Sequence, residues 1–214
     1  MRMGALFVVL IAAVVGLAAQ APPAREAACA VGEGGTIVLG HNFWVASTAK
    51  EKSVKAVQSA AALWLGCADH DLATGHDESA GLRLNEILEV LRARKADELL
   101  IASTQFRRAH LDLARGHFAP ALQSAREAVG IFDRRLGQAG AGKTSPIWLN
   151  WGGYDESVME PIMALHVLAR AQRMSGDKQW QATMDRSIAM AEKSAGRNSA
   201  LYRASVQLKQ DLGK

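Results

Sequence analysis

Three groups of residues in this 214-residue chain have types and spacing that could do chemistry. Residues 137–144, "GQAGAGKT", spell G-x-x-x-x-G-K-T. In a phosphate-binding loop of that pattern, backbone N–H groups cradle the phosphates and the lysine reaches the terminal ones. Ser47 and Lys50 stand as S-x-x-K, a spacing at which a lysine one helical turn on can activate a serine nucleophile. Cys67, His70, Asp71, His76 and Asp77, within "CADHDLATGHDE" at 67–78, are residue types that ligate metals.

Each pattern needs supporting elements. A phosphate-binding loop follows a buried strand and opens a helix, whose N-terminal dipole faces the phosphates. Before Gly137 stands "EAVGIFDRRL", which continues an amphipathic helix carrying Asp133, Arg134 and Arg135. Pro146 and the Gly152-Gly153 pair leave little room for a helix after Thr144, and no strand–helix alternation supplies a parallel sheet. We therefore expect a glycine-rich link between helices and no nucleotide. The S-x-x-K string lacks its S-D-N and K-T-G companions, Lys143-Thr144-Ser145 being the nearest approach. Ser47 is expected to be a helix N-cap, with Glu51 in the first turn. The Cys67–Asp77 group offers three strong donors spread over a helix end and a turn, whereas a zinc site needs ligands that converge. The expectation is no enzyme, no cofactor and no metal. The alternative is a small periplasmic enzyme or metal-binding protein using the Cys67–His76 region.

The remaining features describe an exported helical chain. Met1-Arg2-Met3 is followed by the uncharged apolar run 4–19, then by small residues and Pro22-Pro23, the layout of a secretory signal. The expected divisions are a signal peptide over 1–21, an irregular arm over 22–46 containing a short strand near Thr36–Leu39, and a helical domain over 47–214. An uncut membrane anchor, and with it a membrane-attached structural subunit, is the alternative for 1–21; membrane contact would then run only through residues 4–19. Localisation is expected to be outside the cytosol, in a bacterial periplasm. In such an oxidising compartment Cys29 and Cys67 are expected to form a disulfide, unlinked thiols being the other reading. The formal charge is +4. Acidic and basic residues interleave along the helices instead of gathering on one face, so no nucleic-acid partner is expected.

Alanine- and leucine-rich runs with period 3.6, such as Leu84, Ile87, Leu88 and Leu91, predict an all-α fold. Helices are expected near 48–66, 78–93, 96–115, 117–136, 158–175, 177–195 and 199–212. Their links are short, apart from a long loop at 137–156, so neighbours should be antiparallel hairpins. Residues 116–129, "GHFAPALQSAREAV", place Gly116, Phe118, Ala121, Ala125 and Ala128 in the slots of a tetratricopeptide second helix, with Ala109 seven residues before the glycine. Similar frames surround Gly176, where Trp180 lies two positions late, and Gly75, with Ala68 and Ala80. The chain over about 50–195 thus resembles tetratricopeptide-like (TPR-like) helical repeats, although the glycines are 41 and 60 residues apart where the family repeats every ~34.

That resemblance implies a short right-handed stack of hairpins that binds a protein or peptide partner along a groove lined by first helices. Carried over position by position, it points to Phe106 and His110, and to Met163, His166, Arg170 and Arg173. Trp148, Trp151 and Tyr154 put three aromatics within seven loop residues and form a second candidate contact surface. The expected function is an exported, non-enzymatic adaptor, assembly factor or scaffold. Intact-mass analysis of protein from its native source is expected to show a chain lacking residues 1–19 or 1–21; retention of that segment would instead establish the anchor.

Overall fold

The computed structural model describes residues 29–31, 37–139 and 156–214, with side chains described over 39–135 and 159–214. Strands β1 (Cys29–Val31) and β2 (Ile37–Leu39) pair antiparallel, Cys29 opposite Leu39. Eight helices follow among the described residues: α1 (His41–Thr48), α2 (Val54–Ala73), α3 (Asp77–Ala93), α4 (Glu98–Ala114), α5 (Phe118–Ala139), α6 (Glu156–Met174), α7 (Trp180–Ala195) and α8 (Ala200–Leu212). Each helix packs on the next in sequence. The fold is an all-helical array with a small ribbon laid against α2 at its start.

The first elements differ from the sequence expectation. Residues 41–48 are helical rather than an irregular arm, and no helix starts at Ser47, which lies in the last turn of α1. The reason is tertiary: Trp44 is 4% exposed and stacks on Trp64 at 6.0 Å between ring centroids. Burying that indole draws its segment onto α2, and local cap chemistry yields to it. Ser53 caps α2 instead, its hydroxyl accepting from the Ala56 N–H at 3.2 Å. The helix then runs to Ala73, so Cys67, His70 and Asp71 lie towards its C-terminal end, with His76 in the turn that leads into α3.

The three hairpin turns share one solution. Gly75, Gly116 and Gly176 all have φ of +75°, a left-handed conformation that a Cβ disfavours. In each, the N–H after the glycine bonds back to the carbonyl four residues before it: His76 to Asp71, His117 to Asp112 and Asp177 to Gln172, all at 2.8 Å. This pattern closes off carbonyls that the helix end would leave unpaired.

Helix phase follows from the turns. Seven residues before the glycines stand Ala68, Ala109 and Ala169, each fully buried. Five, nine and twelve residues after Gly116 come Ala121, Ala125 and Ala128, and after Gly75 come Ala80, Leu84 and Ile87; all six are fully buried. The alanine-lined α4–α5 pair makes the most extensive helix contact among the described residues, because short side chains let backbones approach. After Gly176 the helix itself begins two residues later, at Trp180, which accounts for the late aromatic. The core has two parts. One gathers Trp44, Trp64, Leu84, Ile87 and Leu111 around α2 and α3, the other Phe106, Ala125, Phe132, Leu165 and Leu168 around α4 to α6.

The side chain four residues before each glycine is also buried and polar. Asp71 accepts from Arg83 Nε at 2.8 Å, tying α2 to α3, and the guanidinium lies 4.1 Å from the Trp64 ring. Gln172 Oε1 accepts from Thr183 at 2.7 Å, tying α6 to α7. Asp112 pairs within α4, with Arg108 at 3.2 Å. Overfilling the closest helix contact should therefore be costly: Ala109→Leu is expected to lower unfolding stability by about 1–3 kcal/mol with helical content retained, read by chemical denaturation followed by far-UV circular dichroism.

Candidate functional site

Successive first helices touch one another, α2 with α4, α4 with α6 and α6 with α8, while α3, α5 and α7 pack between the first helices on either side of them. One face of the array is therefore lined by first helices. Six residues before the turn glycines, the common frame places Asp69, His110 and Arg170 at equivalent points of α2, α4 and α6.

A chain of ion pairs crosses this face. Arg107 of α4 donates through Nε to Asp69 of α2 at 2.6 Å and through Nη1 to Glu160 of α6 at 2.8 Å. Its Nη1 also donates to the Ser103 carbonyl at 3.1 Å, and the Ser103 hydroxyl donates to the second oxygen of Glu160. One guanidinium thus joins three consecutive first helices. Burial alone would depress Arg107, but the two carboxylates overcome that and raise it, so it stays charged. Phe106 beneath it is 8% exposed and belongs to the core, 4.7 Å from the guanidinium. Phe106, a residue expected to contact a partner, is thus nearly buried, with its ring packed beneath Arg107.

The other carried-over positions lie around this chain. His110 and Arg170 are exposed, and Met163 is 39% exposed. His110 is depressed by burial and by Arg170, with Asp69 and Asp77 opposing. His166 is buried, its Nε2 2.8 Å from Ser205 Oγ of α8. The Ser205 hydroxyl donates to the Leu201 carbonyl at 2.9 Å, so the imidazole carries its proton on Nε2 and donates to serine. Burial and then Arg170 push His166 down to about 4. Arg173 is exposed and donates to the Leu212 carbonyl at 2.9 Å, closing the end of α8. Trp148, Trp151 and Tyr154 lie outside the described residues, as do residues 4–19.

The other sequence candidates are held in structural bonds. Cys67 is fully buried and disulfide-bonded, and Cys29, the chain's other cysteine, lies on the strand packed against α2. Asp71 is paired with Arg83, and His76 Nδ1 is 2.8 Å from the Thr74 hydroxyl. Among the described residues no three His, Cys, Asp or Glu side chains gather around a metal-sized site. Helix α5 runs unbroken through 128–136 to Ala139, so the glycine–lysine string is entered from a helix and not from a strand. A cleft of about 340 Å³ between α1 and α3 is lined by His41, Val45, Glu86 and Val90. Its two central groups hold each other, His41 Nε2 lying 3.1 Å from Glu86, which also accepts from Trp64 at 3.4 Å. No helix among the described residues is long and apolar enough to cross a membrane.

No family model, curated protein or solved structure matches the chain.

Sequence reasoning missed the Arg107 chain. Its partners are 38 and 53 residues away, distances that carry no local pattern. The turn-glycine frame was the available signal, because it sets Asp69, Arg107 and His110 on one face. The buried His166 gives the fold a pH dependence. Its folded value lies below its unfolded value of about 6.5, so the unfolded chain binds the extra proton and stability falls as pH drops between the two. Denaturant unfolding is expected to lose about 2 kcal/mol between pH ~7.5 and ~5, and His166→Gln should flatten that slope.

Proposed function

We propose that this protein is an exported, non-enzymatic TPR-like repeat protein that binds a protein or peptide segment along its first-helix face, in an adaptor, assembly or scaffold role. The observation that carries this reading is the contact of α2 with α4, α4 with α6 and α6 with α8, with Asp69, His110 and Arg170 at equivalent points of the first three. A face built by repetition offers an elongated surface rather than an enclosed pocket, and elongated surfaces suit extended partners. The ion-pair chain through Arg107 fixes the spacing of the helices that form it, and a rigid surface loses less freedom on binding. On this reading the N-terminal segment directs export, the periplasm supplies the oxidant for a Cys29–Cys67 bond, and the array has the right-handed sense of tetratricopeptide stacks.

Site-specific photo-crosslinking in the native host tests it. A photoreactive residue at His110 or Arg170 is expected to trap a defined protein adduct, while the same residue at the exposed second-helix positions Gln123 or Ala189 should trap none. Equal adducts from both faces, or none from the first-helix face, would remove the proposal.

A further inference from the structure

Helices α4 and α6 carry four arginines: Arg107, Arg108, Arg170 and Arg173. Three are engaged within the fold. Arg107 holds Asp69 and Glu160, Arg108 holds Asp112 and Asn85, and Arg173 holds the Leu212 carbonyl. Arg170 is exposed, and among the described residues no carboxylate pairs with it. Its neighbours register this charge: beyond the effect of burial, Arg170 depresses both His110 and His166, opposed by Asp69 and Asp77 at His110 and by no carboxylate at His166.

Two exposed apolar side chains flank this cation. Met163 lies seven residues before Arg170 on α6 and is 39% exposed; Met174 lies four residues after it and is 54% exposed. Seven and four residues both return to nearly the same side of a 3.6-residue helix, so the three form one stripe. With a rise of about 1.5 Å per residue, the methionines stand about 10 Å and 6 Å from the arginine along the axis. An extended chain advances about 3.3 Å per residue and returns to one face every second residue, so Met174 faces the second peptide residue after the one on Arg170, and Met163, through its long flexible side chain, the fourth before it. Methionine is unbranched and polarisable, and adapts to more than one apolar shape.

Resting on the reading of the first-helix face as a docking surface, we propose that its occupant is an extended acidic segment of a partner protein, with a carboxylate on Arg170 between two apolar side chains seated on Met163 and Met174. The partner motif has an apolar residue, three spacers, Asp or Glu, one spacer and a second apolar residue, all three on one face of the extended segment. The guanidinium supplies charge and a planar donor fork for the carboxylate, and the methionines set its register. A basic segment is excluded by the same geometry, since like charges would meet.

Fluorescence anisotropy with a labelled Leu-Ser-Ser-Ser-Glu-Ser-Leu peptide tests this, with the Glu→Gln and Glu→Lys peptides as comparisons. The full-length mature protein is expected to bind the Glu peptide at least tenfold more tightly than the Gln peptide, and the Lys peptide more weakly still. Raising salt should narrow the difference, and Arg170→Gln should abolish it. Equal binding of the Glu and Gln peptides, or a preference that survives Arg170→Gln, overturns the proposal. Methionine methyl NMR separates the two levels of failure. If the Gln peptide binds equally well and shifts the Met163 and Met174 methyl signals, the docking face stands and its charge assignment falls. If no peptide shifts either methyl, both fall.

Discussion

The hairpin turns at Gly75, Gly116 and Gly176 adopt one backbone conformation, and that conformation sets the phase of α2, α4 and α6. Once the residue after the glycine bonds to the carbonyl four before it, the rotation of the helix about its axis is fixed. The residue seven before the glycine then faces the neighbouring helix, and only a small side chain suits that contact. The residue four before is drawn inside, and there it is polar and paired. The residue six before comes out on the first-helix face. Core contact, buried tie and surface display all follow from a single left-handed residue per hairpin, even though the glycines are unevenly spaced.

The first-helix face is held electrostatically where the rest is held by packing. Arg107 sits between carboxylates of the helices before and after its own, in partial burial where screening by water is weak. Such a group gains little over an apolar alternative, because desolvation offsets most of the attraction. What it adds is directional: a planar fork with fixed donors accepts two carboxylates at one separation only. Removing it would leave Asp69 and Glu160 facing each other without compensation, so the pairing constrains the array far more than its net stabilisation suggests.

Legibility in the sequence divides along the same line. Helix α3 is observed at 77–93 where periodicity predicts 78–93, and α8 at 200–212 where it predicts 199–212. Both have complete local signals, period and ends together. The start of the array was not legible, because Ser47 and Ser53 offer the same cap chemistry and only the burial of Trp44 against Trp64 chooses between them. The weakest repeat in sequence, around Gly75, keeps the same buried positions as the strongest, with Leu84 and Ile87 where the other has alanines. Of the face residues, His110, Arg170 and Met163 emerge where a repeat frame puts them, whereas Phe106 is claimed by the core. Arg107 joins residues too distant in sequence for any periodic cue.

That contrast bears on what the face is for. At one frame position the three hairpins carry Asp69, His110 and Arg170, and the structure treats them unequally. Asp69 is neutralised by a neighbour, His110 is held toward its neutral form, and Arg170 is left open to solvent. A cation serving only the fold could have been placed like Arg108, against a carboxylate one turn away on its own helix. Glu160 and Arg170 share α6, yet Glu160 is turned across the helix boundary to Arg107, and among the described residues no carboxylate pairs with Arg170. Internal pairing has therefore been completed on the side that spaces the helices and omitted on the side flanked by exposed methionines. A charge left uncompensated beside apolar surface contributes little to folding, but in association with an anionic partner it adds both rate and orientation.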